Sequence, residues 1–185
     1  MPYSMELGLF IVLVGFSVAI PVGVISAVKQ DQLPDYLLRG LAISALAAPV
    51  FWTASIAVIF VLRWDLIQIN VTGQPHLWSD PWSAFQWYLI PGLVGGFAST
   101  ATVMRLLRSE LLEVLRQDYV RTARAKGLTR SQTLWRHALR NALIPVLTII
   151  GLQFSFLLAG AIIIENVFYL PGLGRLVFQG ITQRD

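Results

Sequence analysis

The sequence has no cysteine, which excludes disulfides and thiolate metal sites. Charge is also scarce. Only 13% of the 185 residues are charged, against about 25% in a soluble domain. The deficit falls in four runs with no charged residue at all: Leu7 to Val28, Gly40 to Leu62, Ser83 to Met104 and Leu143 to Ile164. A helix of about 20 apolar residues spans the roughly 30 Å hydrocarbon core. Four such runs leave too little polar surface to cover them in water, so the chain reads as a polytopic membrane protein.

Two further absences narrow the function. No GxxxxGK[ST] pattern occurs, so the chain has no P-loop with which to bind ATP. The four runs also lack the Asp, Glu, Lys, Arg and His residues from which proton relays and ion sites are built. His76 stands alone in a loop, and no metal site, cofactor or catalytic residue is expected. Met1 to Glu6 has no basic region, and no small-residue cleavage site follows the first run, so a signal peptide is not read there.

What is present is 56% hydrophobic residues, a mean hydropathy of +0.66 and a net charge of +4. The positive excess is local. Arg105 to Asn141 holds nine Lys/Arg against three Asp/Glu, whereas Arg63 to Trp82 holds one against two. By the positive-inside rule the 105–142 loop is expected in the cytoplasm. Residues 63–82 and 165–185 are then extracytoplasmic. Trp64, Trp78 and Trp82 fit an interfacial aromatic belt.

Punctuation divides the runs. Pro21, Pro49 and Pro91 lie inside the first three, each expected to disturb a helix. Gly92 and Gly96 form a GxxxG in the third, suited either to packing within the chain or to a partner subunit. After the fourth run, Pro171, Gly172 and Gly174 make a turn. Leu176 to Ile181 is amphipathic and is expected along the outer membrane surface.

The basic loop reads as helix, corner, helix. Apolar residues from Leu111 to Ala123 recur at helical spacing and predict a helix over Glu110–Lys126. Gly127 is placed to stop it. Thr129 with Gln132 forms a capping box for a second helix, which runs through Trp135 and Ala138 toward Pro145. Short helices at a membrane surface often serve only to lie in headgroups. The small residues Thr122, Ala123 and Ala125 beside a sharp corner suit a docking knob that a partner can approach closely.

The wording DYVRTARAKGL…RHALRNALIPV, with the tail ENVFYLPGLGRL, resembles permease subunits of binding-protein-dependent ATP-binding-cassette importers. It is most similar to the B-type permeases of the dipeptide, oligopeptide and nickel group, and the likeness extends to AIPVGVISAV and LWSDPW. The resemblance implies an all-α membrane fold, a polytopic transmembrane bundle of the type I permease, MetI-like kind. It implies one permease domain over residues 1–185 with four spans present. That family has six spans, so the chain is expected to be a fragment lacking the first and last.

The resemblance also implies a bacterial inner-membrane location and a pathway for peptides or similar small solutes. Its implied partners are cytoplasmic ATPase subunits, a homologous second permease, an extracytoplasmic binding protein and the bilayer, with no nucleic acid. ATP hydrolysis is assigned to the ATPase partner. The family's coupling helix falls on Arg121, Thr122, Ala123, Arg124, Ala125, Lys126, Gly127 and Leu128. Arg121 stands where the general motif has Glu, so no salt bridge is carried over from that Glu. Residue type suggests Ser99, Thr102, Gln153 and Ser155 along the solute path. Two other readings remain: a channel or ion-coupled secondary carrier, and a membrane-anchored interaction protein whose basic loop binds anionic lipid or nucleic acid. Transport persisting without the ATPase would favour the first, and loop binding that collapses steeply with salt the second.

Overall fold

The structure, a computed structural model, describes residues 2–64, 75–158 and 161–183. Residues 65–74, the centre of the tryptophan-rich loop with its Asn70-Val-Thr sequence, lie outside the described residues. The chain is an all-α membrane protein, and among the described residues there is no strand.

The helices are α1 (Pro2–Val28), α2 (Leu33–Ala47), α3 (Val50–Arg63), α4 (Pro81–Val114), α5 (Asp118–Ala125), α6 (Arg130–Gln132), α7 (Leu139–Leu158), α8 (Ile162–Val167) and α9 (Leu173–Gln183). A π-helical segment, Thr133–Ala138, joins α6 to α7. Among the described residues, three helical stretches are long and apolar enough to cross a membrane: Tyr3–Val28, Pro81–Val114 and Arg130–Ser155. The pair α2 and α3 makes a fourth if it is counted as one broken span.

That pair departs from the single helix expected over Gly40–Leu62. α2 and α3 meet at a bend of 100°. The cause is Pro49. It has no N–H to donate, and its ring excludes the preceding residue from the helical region. Ala48 accordingly turns extended, with ψ of 122°, and Pro49 becomes the N-cap of α3. Pro21, Pro91 and Pro145, by contrast, are held inside α1, α4 and α7.

The helix expected over Glu110–Lys126 is also divided. α4 ends at Val114, and α5 starts afresh after Gln117, whose ψ is 148°. Leu111 and Val120 are both fully buried. On one straight helix they would lie about two and a half turns apart, on opposite faces. The break turns Val120 back toward the body of the protein. The fourth run is divided as well: α7 ends at Leu158, and Ile162 to Ile164 belong to α8.

α1 packs along α4, the most extensive helix pair, and α2 and α7 pack on both. Gly92 and Gly95 explain the close approach. A Cβ on Gly92 would lie 2.6 Å from the Phe10 ring, and one on Gly95 would lie 2.5 Å from the Ile11 side chain. The small residues of the third run are therefore used within the chain. Two apolar clusters result. One gathers Ala19, Val24, Ala42, Met104, Leu107 and Val146 near the basic end. The other gathers Leu7, Phe10, Ala54, Tyr88, Ile164 and Phe168 at the opposite end. Because α2 serves the first and α3 serves the second, the Pro49 bend lies between the two clusters.

Candidate functional site

α5 and its corner stand out from the basic end of the bundle. Asp118 lies in the first turn of α5 and Arg124 in the last, both favourable to the helix dipole. The helix closes in a Schellman motif. The Gly127 N–H donates to the Arg124 carbonyl at 3.0 Å, and the Leu128 N–H donates to the Ala123 carbonyl at 3.3 Å. Gly127 has φ of +90°, a conformation that a side chain disfavours, and nothing approaches within 4 Å of where its Cβ would be.

The second helix starts at once. The Gln132 N–H donates to Thr129 Oγ1 at 3.2 Å, and the Thr129 N–H donates to Gln132 Oε1 at 3.0 Å. The Thr133 hydroxyl, buried, donates back to the Thr129 carbonyl at 2.9 Å. A π-helical turn follows, and the chain runs on into α7 and the apolar bundle. The corner is thus continuous with a membrane helix.

Two contacts fasten α5 to that helix. Val120 is fully buried, and α5 packs on the Thr133–Ala138 segment. The Asn141 amide donates to the Tyr119 hydroxyl at 2.7 Å. The outer surface is open: Arg121, Thr122, Arg124, Ala125, Lys126 and Gly127 are exposed, and Ala123 and Leu128 are half-buried. Arg121 pairs with Asp118 at 3.5 Å, an exposed pair of little energetic weight. All eight residues of the expected docking stretch therefore fall on or beside one projecting corner.

The four residues suggested for a solute path behave differently from one another. Ser99 on α4 donates to Gln153 Oε1 on α7 at 2.6 Å, so the structure brings these two together. Thr102 donates to the Ala98 carbonyl and Ser155 to the Gly151 carbonyl, each within its own helix. These two do not join the Ser99–Gln153 pair.

Several polar clusters escaped the sequence reading. The turn over Lys29–Arg39 contains a fully buried Asp35. It accepts from Arg108 Nε at 2.8 Å, Arg108 Nη2 at 2.7 Å, the Asp31 N–H at 3.0 Å and the Ser26 hydroxyl. Arg108 lies just beyond the third apolar run. One carboxylate thus ties the end of α1 and the start of α2 to α4.

At the opposite end Glu6, near the start of α1, is buried. It accepts from the Tyr88 hydroxyl at 2.9 Å, and its other oxygen lies 3.0 Å from His76 Nδ1. His76 in turn stacks between Tyr3 and Trp78. His76 is therefore an anchor for the loop that carries it. Glu165 on α8 is fully buried and accepts from the Ser4 hydroxyl at 2.7 Å and the Arg175 N–H at 3.1 Å. The four apolar runs are uncharged, but the helices built on them carry buried ionisable groups just past their ends. The signal for them was faint: isolated acids next to apolar runs, with partners up to 161 residues away.

Among the described residues no group of three or more His, Cys, Asp or Glu could hold a metal ion.

Comparison with known proteins places this architecture. Residues 19–185 match the model of the family described as the binding-protein-dependent transport system inner membrane component. The chain is 38% identical to the dipeptide transport system permease protein DppB of Escherichia coli K12, over 98% of this chain and 60% of that protein. It is 40% identical to the glutathione transport system permease protein GsiC of Pectobacterium atrosepticum, over 89% of this chain and 51% of that protein. The GsiC protein of Escherichia coli K12 is 39% identical, over 88% and 50%. The chain thus spans between half and about 60% of the length of these relatives. With the family model covering all but the first 18 residues, this chain belongs to the binding-protein-dependent transport system inner membrane component family.

Proposed function

We propose that the chain is the membrane subunit of an ATP-driven importer and forms part of the pathway for peptides or similar small solutes. The observation that carries this reading is the projecting corner Arg121–Leu128, exposed on its outer face and continuous with a membrane helix on its inner side. The relatives' names, dipeptide and glutathione transport permeases, support small peptides as the solute class.

In this reading a cytoplasmic ATPase supplies the energy that the chain has no P-loop to harvest. Its cleft seats on Ala123–Leu128, and the charge asymmetry supports a cytoplasmic position for that corner. Closure of two ATPase subunits pushes the corner. Val120 and the Asn141–Tyr119 bond pass the motion to α7, and α4 moves with it. The pathway lies between this chain and a homologous second permease and opens alternately to each side. A binding protein outside the membrane selects the solute, which suits a pathway lined by mild groups such as the Ser99–Gln153 pair. Residues 75–82 and α9 then face the outside.

The test is Gly127→Glu in the assembled transporter. The reading expects normal membrane insertion, ATPase capture reduced at least tenfold, and loss of solute uptake. Normal capture and uptake would refute the docking assignment. Uptake that continues with the ATPase deleted would refute the energy source.

A further inference from the structure

The basic end contains a hollow that shares only Arg124 with the docking corner. Its volume is about 550 Å³, inside the roughly 300–1,000 Å³ range of ligand pockets. It lies between the end of α1, the end of α4, α5 and α6. Arg116, Arg124 and Arg130 form its rim, and Ala27, Leu112 and Leu134 are among the apolar residues of its floor. The three arginines come from three different segments and all are exposed. Among the described residues no carboxylate lies within 4 Å of any of them; the ion pairs there involve Arg39, His76, Arg108 and Arg121 instead. No acidic residue lines the hollow. Glu113 and Asp118 lie beside Arg116 in the adjoining hollow.

Depth identifies the occupant. Ala27 and Val28 are the last residues of the first apolar run, so the floor sits where α1 leaves the hydrocarbon. Trp135, next to Leu134, is 56% exposed, as expected of an aromatic residue at the headgroup level. A phosphate takes paired N–H donors from guanidinium forks. An apolar floor beneath the forks suits the glycerol and first methylenes that a free phosphate lacks. With no acid in the lining, a choline cation has no partner.

We propose that this hollow binds the headgroup of an anionic phospholipid, its phosphate held by Arg116, Arg124 and Arg130 and its glycerol end resting on the Ala27–Leu112–Leu134 floor. Basic pockets between membrane helices on one face are suited to such headgroups. A lipid there would wedge between α5 and the ends of α1 and α4, so the stance of the corner would depend on the surrounding membrane.

The experiment is native mass spectrometry of the full chain in detergent. It is titrated with dihexanoyl phosphatidylglycerol, dihexanoyl phosphatidylcholine or inorganic phosphate. The phosphatidylglycerol adduct should form at least tenfold more readily than either of the others. R116Q/R124Q/R130Q should weaken it about a hundredfold, from about fivefold per arginine. R105Q, an exposed arginine outside the hollow, should leave it unchanged. If the triple variant does not fold, R130Q alone should weaken it about fivefold. Equal binding of the two lipids would overturn the proposal. So would phosphate binding as tight as phosphatidylglycerol, which would assign the hollow to a free anion. Unchanged lipid binding in the variants, with loss of ATPase capture, would assign the arginines to the ATPase and overturn it too.

Discussion

Arg108 grips Asp35 through two guanidinium nitrogens, at 2.8 and 2.7 Å, and so joins α4 to the start of α2 across the basic end of the bundle. Asp35 is fully buried, and the side chain of Arg108 is 17% exposed. Removing one partner of a buried pair costs about 3–5 kcal/mol, because the other charge is left uncompensated. Arg108→Ala should therefore lower the unfolding free energy by about 3 kcal/mol, the lower end of that range, because Arg39 still lies 3.8 Å from Asp35. Asp35→Asn should cost less, since Arg108 can reach solvent. The double variant should be less damaged than the sum of the singles. Thermal melts of the detergent-solubilised chain check all three, and strict additivity would show that the pair contributes no coupling.

Gly127 separates strain from docking. Its φ is +90° and the space around it is open. Gly127→Ala should cost about 1–2 kcal/mol of backbone strain at the corner while leaving ATPase capture within a few-fold of normal. Gly127→Glu carries the same strain plus bulk and charge, and should abolish capture. Hydrogen exchange over Ala123–Thr129 reads the strain, and co-purification of the ATPase reads the docking. Equal loss of capture in both variants would make the effect one of backbone strain.

The α1–α4 seam should be intolerant of volume. A Cβ at Gly95 already meets Ile11 at 2.5 Å and Ile164 at 2.7 Å. Gly95→Leu should destabilise the bundle by at least about 1–3 kcal/mol, the usual cost of overpacking. Gly151→Leu, where no atom lies within 4 Å of the Cβ position, should be close to neutral in the isolated chain. Melting temperatures of the two variants give the comparison.

Glu165 and the Pro171–Gly174 turn form a second clasp. A Cβ on Gly172 would clash with the Glu165 carboxyl group. Tyr169 adopts φ of 54° to close α8, and Arg175 donates to its carbonyl at 2.9 Å. Gly172→Ala should displace Glu165 from Ser4 and the Arg175 N–H, releasing α9 from the start of α1. Glu165→Gln should act more mildly, since an amide oxygen can still accept. Limited proteolysis after Arg175 measures the release, and equal protection in the Gly172→Ala variant and the parent chain would show that the clasp does not hold α9.

Much of this was visible in the residues themselves. The helix-breaking Gly127 and the Thr129–Gln132 capping box act over four residues or fewer, so the local sequence carries their physics. The apolar runs likewise carry their hydropathy wherever the chain places them. The break between Val114 and Asp118 was not visible, because it exists to bury Leu111 and Val120 against different neighbours. The bend at Pro49 was visible only as a disturbance. Pro21, Pro91 and Pro145 look alike in sequence, and their helices continue.

The sequence by itself determined that this is a membrane chain of helices with one basic corner, because hydropathy, charge count and capping are properties of short stretches. Tertiary structure alone decided that Asp35 finds Arg108, that Glu6 holds Tyr88 and His76, that Ser99 meets Gln153, and that Gly92 and Gly95 serve α1 within the chain. Each of these depends on which helices pack side by side, and side chains 54 to 82 residues apart in four of these contacts have no local signal of their meeting.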